Sequence, residues 1–393
     1  QQHNNNNNNM SDNEGGGAAA DVDFNDDLFT CANSDVVTKY KIAADCVNAA
    51  LTEVIKMIVP GKKIVDICVA GDKHLETECA KYYNKKVEGA KVEKGVAIPT
   101  CVSVNEQVSY NCPEVENKDV LEEGQAVKID LGAHIDGYVA HQAVTIVCQK
   151  EGGNEKITGK QADVIKACIV AQEVAGRVLR PGKTTTDVSN AITKVAEDFG
   201  VHLVEGVLSH NMKRFAIDGN KVVLLKKTPE TKADDHEIAL YDVFGLDIVM
   251  TTGEGKLSQK DEKETQVYKR ALEKSYSLKM KASRGVFSDI CNRFPSFPFA
   301  ARYLEGLSAK AGLPECLKHD LLVPYPVLYE KTGEYVAHVK TTILVMGKGN
   351  DRITKAVEMM QQDVSSEKSL QDAELVELIA QPLKPPAKPR KKK

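Results

Sequence analysis

Asp130 and His141 lie on either side of Asp136-Gly137, a dipeptide suited to two-residue β-turns because both central positions need positive φ. A tight turn there pairs residues whose numbers sum to 273, so Asp130 faces Ala143 and His141 faces Gly132. Side chains two apart on a strand share a face, which makes this carboxylate and imidazole diagonal neighbours. Such a pair is either one edge of a metal-ligand set, since Asp and His suit zinc, or two polar groups on a wet sheet face. Spacing alone leaves both open. A second chemical feature is the end of the chain, where Lys384, Lys388, Arg390, Lys391, Lys392 and Lys393 stand among prolines with no acid. It reads as a solvated tail, or as a phosphate-seeking arm for RNA or a nuclear or nucleolar address.

The elements that position the pair read as a repeat. From Ser34 to Ile58 apolar residues recur at helical spacing and stop at Pro60-Gly61; a second helical stretch follows from Ile64 to Tyr83. The same grammar returns from Asp163 to Leu179, stops at Pro181-Gly182 and resumes from Asp187 to Phe199. Pro60-Gly61-Lys62 leading to Asp66 matches Pro181-Gly182-Lys183 leading to Asp187, a shared stop-and-cap pattern that signals a duplicated unit. Each helix pair precedes strand signals: Ala126–Leu131 and Tyr138–Cys148 in the first half, Leu240–Thr251 and Tyr335–Met346 in the second. The expected fold is α+β, with pseudo-two-fold symmetry and helices covering one face of a mostly antiparallel sheet.

The middle is globular, with 42% apolar and 27% charged residues among 393. A net charge of −4 excludes a surface-wide field that recruits nucleic acid or membrane, so any polyanion site must be local. The longest apolar runs fall short of a bilayer span and the start lacks a signal-peptide core, which predicts a soluble protein that is not secreted. Ten cysteines without CxxC pairs read as reduced cytosolic thiols used for packing. Residues 1–30 read as a disordered Asn-rich and acidic arm, 31–355 as the main domain, and 356–393 as a helix after a Ser cap followed by the Lys/Pro tail. Between Lys256 and Lys318, 13 Lys and Arg stand against seven Asp and Glu in a block that reads as a helical insertion, about 256–326. Its Lys256, Lys269, Arg270, Lys274, Lys279, Lys281 and Arg284 are nucleic-acid-binding candidates, against the reading of a solvated face.

Asp130-Leu-Gly-Ala-His-Ile-Asp-Gly-Tyr-Val-Ala-His141, Gly95-Val-Ala-Ile-Pro-Thr100, Leu246-Asp247 with Thr251-Thr-Gly-Glu-Gly255, Phe297-Pro-Phe-Ala-Ala-Arg302 and Val323-Pro-Tyr-Pro326 before Lys340-Thr-Thr-Ile-Leu resemble, in order, type 2 methionine aminopeptidases. The acidic start, the Lys-rich tail and several departures resemble more closely the proliferation-associated proteins, the non-peptidase branch. The resemblance implies the pita-bread fold of the creatinase and aminopeptidase group. An active member would hold two metals with two Asp, one His and two Glu. Carried over by position, these fall on Asp130, His141, His210, Asp247 and Lys340. Lys340 stands where a carboxylate should bridge two cations, and an ammonium has donors but no lone pair. Two supporting His positions hold Tyr110 and Asp218.

The charged members of the set, Asp130, Asp247 and Lys340, sum to −1 where active ligands would bring −4, so no metal or cofactor is expected. Ion pairs of Lys340 with Asp130 and of His141 with Asp247 would replace it. The resemblance then implies a catalytically silent scaffold that binds ribosomal RNA, the large ribosomal subunit and other structured RNA. Growth and translation control would follow, in the cytoplasm with a nuclear or nucleolar pool. The rivals are a weak or rebuilt single-metal aminopeptidase on Asp130, His141, His210 and Asp247, and a pocket that holds peptide N-termini without cleaving them.

Overall fold

The computed structural model describes residues 26–384 apart from 88, 230, 232 and 305. The expected arm therefore lies outside the described residues as far as residue 25, and so do Lys388, Arg390, Lys391, Lys392 and Lys393. Helix α1 (Asp26–Phe29) is one turn long. Asn33 then caps α2 (Ser34–Ile55) by accepting the Asp35 N–H. Pro60-Gly61 stops the chain with Gly61 at φ +82°, α3 (Ile64–Cys79) follows, and β1 (Lys94–Val104), β2 (Ala126–Ile135) and β3 (Tyr138–Val147) complete the first half. The second half repeats it with α4 (Gly159–Val178), α5 (Thr185–Phe199), short strands β4 (His202–Leu203), β5 (Leu208–Asn211) and β6 (Val222–Leu224), and the long β7 (Val243–Thr251).

The stop recurs as expected, with Gly182 at φ +84°, but the cap does not. At the second junction Thr184 and Asp187 form a reciprocal capping box, which satisfies two of the helix's free N–H donors. At the first junction the N-cap is Lys63, which offers no side-chain acceptor, and the Ile64 N–H donates to the Asp119 carbonyl at 3.0 Å. The Thr185 N–H makes the equivalent long-range bond, to the His236 carbonyl at 2.9 Å, so the second junction has the capping box in addition to a backbone bond that both copies share.

Beyond β7 come β8 (Ser258–Gln259), β9 (Val267–Arg270), α6 (Lys281–Arg293), β10 (Phe299–Ala300), α7 (Leu307–Lys318), β11 (Leu322–Tyr325) and β12 (Leu328–Tyr329). The block read as helical thus also builds a three-stranded sheet, β10-β9-β11, around Tyr268, Ile290, Phe299, Cys316 and Leu321. Strands of two to four residues are too short to show alternation, and Pro324 within β11 argues against a strand. The chain ends with β13 (Val336–Leu344), β14 (Asp351–Arg352), α8 (Ala356–Met359) and α9 (Ala373–Ala380). Asp372, rather than Ser369, caps α9. Leu375, Leu378 and Ile379 dock that helix on the main core, with Lys194 held to Asp372 at 2.8 Å.

The main sheet runs β1-β2-β3-β13-β7-β5-β6, with β14 on β13 and β4 on β7, and its named pairs are antiparallel. Asp136 (φ +54°) and Gly137 (φ +81°) make the two-residue turn, so Asp130 opposes Ala143 and Gly132 opposes His141 as the turn arithmetic requires. Val127, Ile129, Leu131 and Ala133 of β2 join the apolar side chains of α2, α3, α4 and α5 in one core. The alternate residues Lys128, Asp130, Gly132 and His134 point to the opposite face.

Candidate functional site

The register lays polar residues across that second face in rows. Cys101 opposes Asp130, Asp130 opposes Ala143, Ala143 opposes Lys340 and Lys340 opposes Asp247, a single row over β1, β2, β3, β13 and β7. The neighbouring row runs from Gly132 through His141, Thr342 and Gly245 to His210. His338, two residues before Lys340 and therefore on the same face of β13, lies one row further on.

Lys340 is the centre of this constellation. Its Nζ is 2.7 Å from Asp130 Oδ2 and 3.0 Å from Asp247 Oδ2, with the Lys340 side chain only 3% exposed. His338 Nε2 lies 2.6 Å from Asp247 Oδ1. The Lys340–Asp130 pair expected above is present, but Asp247 is shared by Lys340 and His338 and not paired with His141. Neither ring nitrogen of His141 has a hydrogen-bond partner among the described residues. Gly132 and Gly245 leave the ring its space: a Cβ on Gly245 would sit 2.0 Å from His141 Nε2. His141 thus fills a slot between two glycines and does not reach a carboxylate.

Burial penalises every charge in the cluster, and the partners decide the outcome. Desolvation opposes the Lys340 ammonium, yet the charges of Asp130 and Asp247 push its pKa well above the ordinary lysine value. Burial likewise opposes the Asp247 carboxylate, while Lys340 and His338 hold it well below the usual range. Burial, then the Lys340 charge, brings His141 down to about 3, so its imidazole is neutral.

A cavity of about 380 Å³ opens above these groups, lined by Tyr110, His141, His210, Asp218, Asp247, Tyr325, His338 and Lys340 among others. Tyr110 adopts a left-handed backbone, φ +61°, and its ring meets Tyr325 edge-on at 5.0 Å. His210 contacts the Gly219 carbonyl through Nδ1 at 2.9 Å. Asp218 is ion-paired to Lys269. That last contact corrects the phosphate-contact set: Lys269 is buried and spent on Asp218, and Arg270 is half-buried with its guanidinium on Cys291 Sγ at 3.4 Å. Lys256, Lys274, Lys279, Lys281 and Arg284 are exposed. Lys384 reaches Asp351 at 3.0 Å from a half-exposed position.

Residues 38–233 match the model of metallopeptidase family M24. ErbB-3 binding protein 1 of Solanum tuberosum is 51% identical over 81% of both chains. Proliferation-associated protein A of Dictyostelium discoideum is 42% identical over 92% of both. A solved structure of a thermophilic Arx1 superposes with TM-score 0.82 at 30% identity, covering 90% of this chain and all of that one. The chain belongs to the proliferation-associated protein family. Its α+β pita-bread architecture is also that of methionine aminopeptidase from Thermotoga maritima, with TM-score 0.53 over 82% of this chain and 97% of that one; at 19% identity this likeness shows the fold alone.

Two divalent cations, which metallopeptidase chemistry in this fold implies, do not fit this member of the proliferation-associated family. The Lys340 ammonium occupies the space between the Asp130 and Asp247 carboxylates, donating where a metal would need lone pairs. Among the described residues no group of three or more His, Cys, Asp or Glu is placed to hold a metal ion. The residue that sequence reading missed is His338. Its signal was the His338-x-Lys340 spacing, which on a strand places both side chains on one face.

Proposed function

We propose that this chain keeps an aminopeptidase-like shape as a scaffold without peptidase chemistry. It binds RNA and ribosomes, the large subunit above all, and so regulates growth and translation from the cytoplasm with a nuclear or nucleolar pool. The observation that carries the silent half of this reading is the buried ammonium of Lys340 between two carboxylates. A cation held there neutralises the groups that would bind metal, and without metal no water is activated at neutral pH. The binding half is supported by the net positive insertion, whose Lys256, Lys274, Lys279, Lys281 and Arg284 are exposed, and by the six cations from Lys384 to Lys393.

Elemental analysis of chelator-free protein should find zinc, cobalt and manganese far below one equivalent, and short peptides should release no methionine. Near-stoichiometric metal with turnover would establish instead a rebuilt single-metal aminopeptidase. Lys340→Glu alone should remain inactive, because His141 and Tyr110 stay in place. Ribosome pelleting tests the other half: with ~6 phosphate contacts, affinity should fall about a thousandfold between ~50 and ~200 mM salt through lost counterion release. A flat salt response would overturn it.

A further inference from the structure

Behind the cavity lies a thiol cluster that the scaffold reading does not use. After β1 the chain turns back on itself, the Gln107 N–H donating to the Val104 carbonyl, and the Val102 N–H then donates to the Asn111 carbonyl at 2.8 Å. Residues 102 and 111 are therefore opposite, and Cys101 and Cys112 are the next cross-strand pair. Directly opposed Cβ atoms lie ~4.5–5.5 Å apart, close to the ~3.5–4.5 Å a disulfide spans. Cys101 and Cys68 lie beside Cys112, the Cys112 Sγ is 3.5 Å from the Thr100 carbonyl, and the Arg302 guanidinium donates to Cys112 Sγ and to Asp72. Two thiols and a guanidinium thus surround one sulfur, and the guanidinium favours its thiolate.

We infer that Cys112 and Cys101 are a peroxide-oxidisable pair, Cys112 the attacking thiolate stabilised by Arg302 and Cys101 the resolving thiol. The Cys112 thiolate attacks hydrogen peroxide, forming an S–O bond as O–O breaks, and the departing hydroxide takes a proton to leave as water. Cys101 then attacks the sulfenic sulfur; the S–S bond forms, the S–O bond breaks, and a second water carries off the Cys101 proton. Two thiols lose two electrons to one peroxide.

The asymmetry between the sulfurs agrees with these roles. Burial opposes the Cys112 thiolate, but the neighbouring Cys101 and Cys68 thiols and the Arg302 guanidinium hold its pKa well below the ordinary thiol value. Cys101, beside Cys112 and buried, is pushed up and stays a thiol, its Sγ donating to the Pro99 carbonyl at 3.2 Å. Cys101 and Cys112 are each 1% exposed, yet Tyr110, Val267 and Tyr325 line the cavity and also pack on the thiols. Hydrogen peroxide must pass this wall to reach Cys112, and a bulkier maleimide should not. Oxidation would also take from Arg302, which stands in the insertion, one of its two partners in the first half of the fold.

The test is peptide mapping of the full chain under non-reducing conditions after brief exposure to hydrogen peroxide. A Cys101–Cys112 crosslink should form, reverse with dithiothreitol, and precede any crosslink between Cys46 and Cys79, another pair of neighbouring thiols. It should persist in Cys68→Ser and vanish in Cys101→Ser. In native protein N-ethylmaleimide should label the half-buried Cys291 and spare Cys112. Arg302→Gln should slow crosslinking at least ~tenfold, the change in thiolate fraction that one unit of thiol acidity brings, and Arg302→Lys should restore much of it. Oxidation confined to Cys291, a Cys68–Cys112 crosslink in place of the expected one, or Cys46–Cys79 forming first would each overturn the assignment, and wild-type protein alone reads all three.

Discussion

An ammonium buried between two carboxylates has no gentle way to lose its partners. Lys340, Asp130 and Asp247 sum to −1, and the whole trio is nearly sealed from water. Lys340→Met would leave two carboxylates facing each other in a dry site, and removing one partner of a buried pair costs about 3–5 kcal/mol. Urea unfolding should show a loss of that order, and Asp130→Asn with Asp247→Asn in the same chain should recover much of it. A loss below ~1 kcal/mol for Lys340→Met would mean that the trio is not desolvated as described. The acid limb follows from the same contacts. Asp247 is depressed in the folded state, so its contribution is complete above the unfolded value near 4 and is lost as pH falls toward the folded one. His141 at about 3 and His134 at about 4, both lowered by burial, begin the loss earlier, because the unfolded chain takes up their protons from about pH 6.5 downward. The urea midpoint should therefore decline from pH 6.5 and more steeply below 4, and Lys340→Met should flatten the lower part of that curve.

At the scale of elements, both copies of the Pro-Gly-Lys junction share a long-range backbone bond and only the second adds a capping box, a difference that is measurable. Thr184→Ala removes one arm of a capping box and should cost about 1 kcal/mol, whereas Lys63→Ala removes no cap and should leave the midpoint nearly unchanged. Equal costs would show that the two helix starts are equivalent after all. The case also shows which parts of the fold were legible. Helix stops and the β2–β3 register could be read because glycine conformation and turn length are local, and local rules carry them. Asp130, His141 and Lys340 were found because their strands are long and the motif residues sit in them. The Ile64–Asp119 bond, the small β9 sheet and the shared use of Asp247 were not legible, since each depends on residues far apart in sequence or on strands too short to alternate. Gly245 belongs with these: nothing near it in sequence says that a Cβ there would strike His141 from a neighbouring strand.

For the whole molecule, the insertion has its own small core and is tied to the body by ion pairs that include Arg302 with Asp72, Lys269 with Asp218 and Lys260 with Glu106. Inward-facing cations of that block therefore position it, and only its outward-facing ones remain to meet a polyanion. Lys274, Lys279, Lys281 and Arg284 are all exposed on the segment leading into and along α6, so reversing all four to Glu should spare the core. Thermal unfolding of the reversed protein should match the parent. Its affinity in ribosome pelleting should drop, and the slope of log affinity against log salt should shrink by up to about 3.6, or 0.9 for each lost phosphate contact. Lys269→Gln provides the opposite pattern, because its side chain is spent on Asp218: stability should fall while the salt slope holds. If the fourfold reversal left the slope unchanged, the phosphate contacts would belong to the cationic end of the chain, and truncation after Leu383 should then remove them.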